Sequence, residues 1–169
     1  MLDDEMNALF IGRFQPFHLG HLHVIKYILH KYNQIIIGIG SSQYEHTIDN
    51  PFNFEERDLM IKKTLHAEGI TEFTVVAIPD IHDPPRWVDH VVSLIPEFSV
   101  VFTNNNFTAS LFTDKGYQVR KPGFYQKKKY SGEKIRSAMR NCKPWKDLVH
   151  PAIHEYLDTI NAELRVCNL

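Results

Sequence analysis

Residues 10–23 read FIGRFQPFHLGHLH, and the order of residue types in this stretch decides how the rest of the chain is read. Leu9, Phe10 and Ile11 form the apolar end of a strand. Gly12 and Arg13 follow, then a turn at Pro16, then His18, Gly20 and His21 where an amphipathic helix begins. A strand that passes through a glycine turn into a helix start presents unpaired backbone N–H groups to an anion. An arginine and two histidines lie within nine residues of one another here. The stretch is therefore expected to hold the phosphates of a nucleoside triphosphate.

Working outward, Asn7 to Ile11 is short and mostly apolar, as a strand covered on both faces should be. Leu22, Ile25, Ile28 and Leu29 recur at helical spacing between about His21 and Lys31. Ile35, Ile36, Ile37 and Ile39 predict a second buried strand, ending among Gly38 and Gly40, and residues 41–53 are a polar loop. Phe54 to Ala67 has helical periodicity, with Phe54, Ile61 and Leu65 inside, Glu55, Glu56 and Lys63 outside, and Gly69 as the stop. Phe73 to Ile78 is a third strand. A loop framed by Pro79 and Pro84-Pro85 precedes a helix from Trp87 to Ile95. Ser99 to Thr103 is a fourth strand, Thr108 to Thr113 a short helix, and Tyr117 to Val119 a fifth strand. Ser131 to Arg140 and Pro151 to Ala162 predict two closing helices.

Apolar strands alternating with helices imply right-handed βαβ units in a parallel sheet. The expected fold class is α/β, a Rossmann-like doubly wound parallel sheet of about five strands with flanking helices. The expected organisation is a single domain over residues 1–169, its C-terminal helices from about residue 131 closing the site. In such sheets ligands bind beyond the carboxyl ends of the strands, where the strand order reverses. GRFQPFHLGH, GSSQYEHTIDNP, PDIHDPPRW, TNNN and KPGFYQKKKYSGEKIR each follow a strand, so all are expected at that edge.

The chain has 169 residues, 43% hydrophobic and 23% charged, as expected of one soluble globular domain. A net charge of -1 argues against a general nucleic-acid surface, which needs a basic excess, although Lys127-Lys128-Lys129 could bind a small polyanion. Cys142 and Cys167 have no metal-type spacing and fit a reducing compartment. The first residues, MLDDEMNALF, are acidic where a signal peptide is basic, and no apolar run reaches membrane-spanning length. A cytoplasmic protein is expected, without membrane or nucleic-acid partners.

His18 and His21 read as donors to phosphate oxygens, as metal ligands, or as structural histidines. A zinc site needs further ligands that nothing nearby supplies. Gly20 between them allows close backbone approach, and a helix starting near His21 adds about half a positive charge. SGEKIR, residues 131–136, is a second basic helix start: Ser131 is a natural N-cap, and Arg136 with Lys134 could face an anion or simply water. GIGSSQ lacks the third glycine and the following helix of a dinucleotide fingerprint, so Gly40 and Ser41 are read as backbone lining a pocket. Trp87 has either a core or a stacking role. Asp80 and Asp83 could bond an amide or ribose, or shape their turn.

GRFQPFHLGH matches the (H/G)xGH signature of the nucleotidylyltransferase superfamily, and YSGEKIR resembles its second signature, ISSTxxR. With the interior sequences GSSQYEHT…NPF…ER, PDI…W and LF…GY…V, the chain most resembles the archaeal-type nicotinamide-mononucleotide adenylyltransferases, from about Ala8 to Ile160. The resemblance implies ATP and nicotinamide mononucleotide as substrates, NAD and pyrophosphate as products, and a homo-oligomer, with a hexamer possible. It implies Mg²⁺ or another divalent cation held mainly by the ATP phosphates, with no protein metal site. The catalytic residues would be Arg13, His18, His21 and Arg136. His18 and His21 would hold the ATP phosphates, and Ser131 and Arg136 would clamp the β- and γ-phosphates, with Gly12, Phe14, Gly20 and Lys134 joining them. Trp87 would stack on the nicotinamide ring near Asp80, with Gly40, Ser41 and Asn105 completing that side.

The sequence departs from the family pattern at three places. Glu133 replaces a threonine of the second signature, Ala109 stands where an arginine is common, and Pro84-Pro85 replaces a segment carrying a polar contact such as asparagine. The rival readings are a transferase acting on pantetheine phosphate, flavin mononucleotide or an alcohol phosphate, and a regulatory module that binds NAD or ATP without turnover.

Overall fold

The structure is a computed structural model that describes all residues except 1–5, 124 and 127. The acidic start of the chain and the first lysine of the triplet at 127–129 lie outside the described residues. The chain divides into two compact units.

The first unit, drawn from the spans Met1–Gly12, Val24–Ser42 and Glu72–Phe124, contains the sheet. Strands β1 (Asn7–Gly12), β2 (Gln34–Gly40), β3 (Phe73–Ile78), β4 (Val100–Phe102) and β5 (Gln118–Arg120) pair in parallel in the order β3-β2-β1-β4-β5. The order reverses between β1 and β4, so the first glycine turn leaves the sheet at its switch point. In the central strands Leu9 pairs with Ile36, and Phe10 with Ile37, all nearly inaccessible to water. β5 alternates exposed and half-buried residues, as an edge strand should. One face of the sheet contributes Leu9, Ile11, Ile36, Ile78 and Val101 to a cluster with Val88, Val91 and Phe112 of the helices. At Gly38 a Cβ would lie 2.5 Å from Ile78 Cδ1, so a larger residue there would force the end of that side chain to shift.

Helix α1 (Leu19–Leu29) starts in the second unit and ends in the first. α2 (Phe54–Ala67) belongs to the second unit, α3 (Pro84–Leu94) and α4 (Asn106–Asp114) to the first, and α5 (Gly132–Arg140) to the second. α2 begins with a capping box between Asn53 and Glu56 and is followed by Gly69 at φ 71°. Arg57, Met60, Ile61, Thr64 and Leu65 form its buried face.

Several boundaries differ from the periodicity reading. α1 starts at Leu19, because the His18 carbonyl already accepts from the His21 and Leu22 N–H groups. Gly20 therefore lies within the first turn of α1. Pro84 and Pro85 open α3, where their missing N–H groups are not needed. The expected closing helix from Pro151 to Ala162 is broken. A 3-10 turn at Pro151–Ile153 leads into α6 (His154–Thr159), and Asn161, left-handed at φ 51°, separates it from α7 (Ala162–Cys167). Asparagine tolerates that conformation and so ends one helix and starts the next. Glu56, expected outside, is half-buried and bonds Arg165 of α7 at 2.7 Å.

Candidate active site

In the second unit the loop after β1 carries one side of the candidate site, and the start of α5 the other. His18 is the residue before α1, and His21 is its third helical residue. The His18 N–H donates to His21 Nδ1 at 3.2 Å, and the His21 N–H donates to His18 Nδ1 at 3.3 Å. This is a capping box built from two imidazoles. Their rings stack at 3.6 Å with an interplanar angle of 18°. Phe14 meets the His21 ring edge-on at 4.8 Å, and Phe17 stacks on it at 5.4 Å.

The pairing determines protonation. Each Nδ1 faces a backbone donor, so the proton of each neutral ring is assigned to Nε2. Burial holds His18 at about 4, and burial followed by the charge of His18 holds His21 well below the usual histidine range. At neutral pH both rings are uncharged. Gly20 makes room for this arrangement: a Cβ there would lie 3.0 Å from His18 Cε1 and Nδ1, and 3.0 Å from Tyr130 Cβ.

Arginines form the cationic part. Arg13 is exposed. Arg57 is wholly buried, donates from Nη1 to the Arg13 carbonyl at 3.0 Å, and donates from Nε to the Asn53 carbonyl at 3.1 Å. Burial, then the charge of Arg13, pushes Arg57 down to about 10. Arg136, 5% exposed, donates from Nη1 to the Gln15 carbonyl at 2.8 Å, and its Nη2 lies 3.7 Å from Asp49. Burial and then Arg13 lower its pKa as well. Its Nε is buried without a hydrogen-bond partner. A buried guanidinium with an unpaired donor is costly unless an anion reaches it. Ser131 caps α5 by accepting from the Lys134 N–H at 3.2 Å, and the Lys134 ammonium donates to the Lys128 carbonyl at 2.6 Å. Glu133 is exposed on the first turn of α5. Among the described residues, no group of three or more His, Cys, Asp or Glu is arranged to hold a metal ion.

The second unit thus brings together Arg13, Phe14, His18, Gly20, His21, Ser131, Lys134 and Arg136. Three contributors were not singled out from the sequence. Gln15 holds Arg136 through its carbonyl and Phe52 through its side chain. Arg57 supports the Arg13 backbone, and Gly132 clears the path of Arg136 to Gln15. The signal for Arg57 was available, since it falls on the apolar stripe of α2 at helical spacing from Ile61.

The first unit holds the other candidates. Gly12 ends β1 and Gly40 ends β2, and a Cβ on Gly40 would lie 3.7 Å from the Gly12 carbonyl oxygen. Ser41, at φ 49°, donates from Oγ to Asp80 Oδ2 at 2.7 Å. Asp83 precedes α3 without capping it. Trp87 is half-buried, with its ring edge-on to Phe112 at 5.8 Å and packed on the core cluster. Asn105 caps α4 by accepting from the Thr108 N–H at 2.9 Å. Ala109 is buried on that helix.

The sequence pattern of the family described as cytidylyltransferase-like matches residues 9–140. The chain is 43% identical over 164 residues to the nicotinamide-nucleotide adenylyltransferase of Picrophilus torridus, covering 97% of each chain. It is 43% identical over 165 residues to the nicotinamide-nucleotide adenylyltransferase of Thermoplasma acidophilum, covering 98% of this chain and 92% of the other. A solved bifunctional NMN adenylyltransferase/ADP ribose pyrophosphatase from Francisella tularensis, in complex with AMP and a manganese ion, matches with a TM-score of 0.81 and 24% identity. That match covers 97% of this chain and 51% of the bifunctional one, and the likeness is one of fold.

Proposed function

The chain belongs to the cytidylyltransferase-like family, and from that premise we propose that it transfers the adenylyl group of ATP to nicotinamide mononucleotide, giving NAD and pyrophosphate. The nucleophile is a phosphate that is already anionic, so the reaction requires no general base. What it requires is alignment of that phosphate with the α-phosphorus and neutralisation of the leaving pyrophosphate.

The observation that carries this reading is the reciprocal His18–His21 pair, in which both Nδ1 atoms take backbone donors at a helix start and each neutral ring keeps its proton on Nε2. Neutral donors hold phosphate oxygens without the desolvation cost of a buried cation. The charge is supplied by Arg13 and by Arg136, whose unpaired Nε would find its partner on a phosphate. Ser131 and the backbone of Gly12, Phe14 and Gly20 complete the ATP side, with Lys134 near the start of α5. Ser41, Asp80, Trp87, Gly40 and Asn105 would receive the nicotinamide nucleotide.

A divalent cation, Mg²⁺ as the expected ion, would arrive on the ATP phosphates. The donors gathered around the loop are imidazoles and guanidiniums, which match phosphate rather than a hard cation. We further propose that residues 1–169 act as one nucleotidyltransferase domain, closed from about residue 131 by α5 and the helices after it. The protein is proposed to be a cytoplasmic homo-oligomer, a hexamer in the family-like case, that binds neither nucleic acid nor membrane. No helix among the described residues is long and apolar enough to cross a membrane.

The test is incubation of the purified protein with ATP, Mg²⁺ and each acceptor in turn, with product separated by chromatography. NAD from nicotinamide mononucleotide, with no product from pantetheine phosphate or flavin mononucleotide, is the expected outcome. Product from another acceptor alone would overturn the assignment.

A further inference from the structure

The second unit holds a pair of thiols that the adenylyl transfer does not use. Cys142 follows the C-cap of α5 with φ 51°, a left-handed position usually filled by glycine or asparagine. Cys167 is the last residue of α7. The Met139 carbonyl accepts from both residues: from the Cys142 N–H at 3.1 Å and from the Cys167 thiol at 3.2 Å. The two side chains line one open cleft with Leu157, Asp158 and Asn161, and both are exposed. Desolvation of the Cys167 sulfur, then the charge and hydrogen bond of the Cys142 thiol, raise the Cys167 pKa above the ordinary thiol range.

We propose that Cys142 and Cys167 are an oxidative modification site that closes to an intramolecular disulfide and fastens α7 to the end of α5. The oxidant is hydrogen peroxide. One thiolate attacks a peroxide oxygen, the O–O bond breaks, and hydroxide leaves, giving a sulfenic acid. The second thiol attacks that sulfur, the S–O bond breaks, and water leaves as the S–S bond forms. Two thiols are oxidised, one peroxide is reduced to two waters, and an external dithiol reverses the change.

The site lies at the end of α5 opposite Ser131, about ten residues or ~15 Å along the helix axis. Closure there leaves the contacts of Arg136 with Gln15 in place. The bond closes a loop of about 25 residues and so restricts the unfolded chain. Oxidation is expected to stabilise the protein without stopping the reaction.

The experiment uses the full chain, reduced and freed of reductant, then treated with hydrogen peroxide and probed with N-ethylmaleimide under denaturing conditions. The expected result is a mass loss of about 2 Da, loss of both maleimide labels, and their return with dithiothreitol. The unfolding temperature should rise by roughly 5 °C or more, and the NAD-forming rate should stay within about twofold of the reduced enzyme. Cys142→Ser and Cys167→Ser should each abolish the mass loss and the thermal shift while leaving the reduced rate unchanged. Oxygen adducts on single thiols, disulfide-linked dimers, or retention of both labels after peroxide would overturn the proposal. So would a disulfide whose formation lowers the rate tenfold.

Discussion

The side-chain amide of Gln15 bonds Phe52 as a neighbouring strand would. Its Nε2 donates to the Phe52 carbonyl at 2.8 Å, and the Phe52 N–H donates to its Oε1 at 3.0 Å. Both residues are buried, and the Gln15 carbonyl also accepts from Arg136. One residue thereby connects the loop after β1, the loop before α2, and the guanidinium of α5. Replacing Gln15 by Leu keeps most of the volume and leaves the Phe52 N–H and carbonyl unpaired. Each buried unpaired group costs about 1–3 kcal/mol, so a loss of roughly 2–6 kcal/mol is expected in urea unfolding. In enzyme that remains folded, kcat/KM for ATP should fall by about tenfold or more through a misplaced Arg136.

His18 caps α1 as well as carrying a donor, and the two roles can be separated. Asparagine is among the strongest N-caps and can keep the bond to the His21 N–H. His18→Asn should therefore unfold within about 1 kcal/mol of the parent. It lacks the imidazole Nε2–H, so kcat should fall by about 10²-fold, the usual cost of one preorganised donor. His21→Ala should lower kcat much more than affinity for NAD. Equal losses in both would favour a binding module without turnover.

Acid should weaken this unit through the same histidines. His18 titrates at about 4 when folded against 6.5 as its ordinary value, so between these values the unfolded chain binds more protons. Stability then rises with pH; it is fully present above about 6.5 and is lost as pH falls toward 4. The shift corresponds to a loss on the order of 3 kcal/mol, and His21 shifts in the same direction. Urea midpoints at neutral pH and at pH near 4.5 should differ clearly in the parent. The difference should shrink in His18→Asn.

The parallel sheet was legible because its central strands, such as Ile35 to Ile37, are apolar on both faces, and Gly12 and Pro16 break the chain in a recognisable order. The candidate phosphate side, proposed and not observed, was legible as a cluster because His18, Gly20, His21, Ser131 and Arg136 are chemically conspicuous. Gln15 was not, since a side chain that imitates a strand has no periodic signature. Nor was the split of the last helix: Asn161 is helix-compatible in composition, and only its left-handed φ reveals the break. Asn105 looked like a ligand contact by type, whereas its side chain also serves as the cap of α4. Short polar side chains satisfy local backbone and ligands equally well, so sequence alone does not separate those uses.

Gly132 is the position at which the smallest change should alter function most selectively. A Cβ there would lie 3.0 Å from both Arg136 Nη1 and the Gln15 carbonyl oxygen, the two partners of the bond that aims the guanidinium. Neither can yield freely, because Arg136 is buried and Gln15 is fastened to Phe52. Helix propensity does little to oppose this, since Gly132 is the first residue of α5 and the advantage of alanine over glycine, about 1 kcal/mol, belongs to helix interiors. Gly132→Ala should remain folded, with an unfolding free energy within about 1 kcal/mol of the parent. Its kcat/KM for ATP should drop by roughly tenfold or more as Arg136 is pushed from its seat. Arg136→Lys removes the bidentate fork but keeps the charge, and should show a similar loss. If Gly132→Ala instead keeps full kcat/KM, the Gln15–Arg136 bond does not set the position of the phosphate clamp.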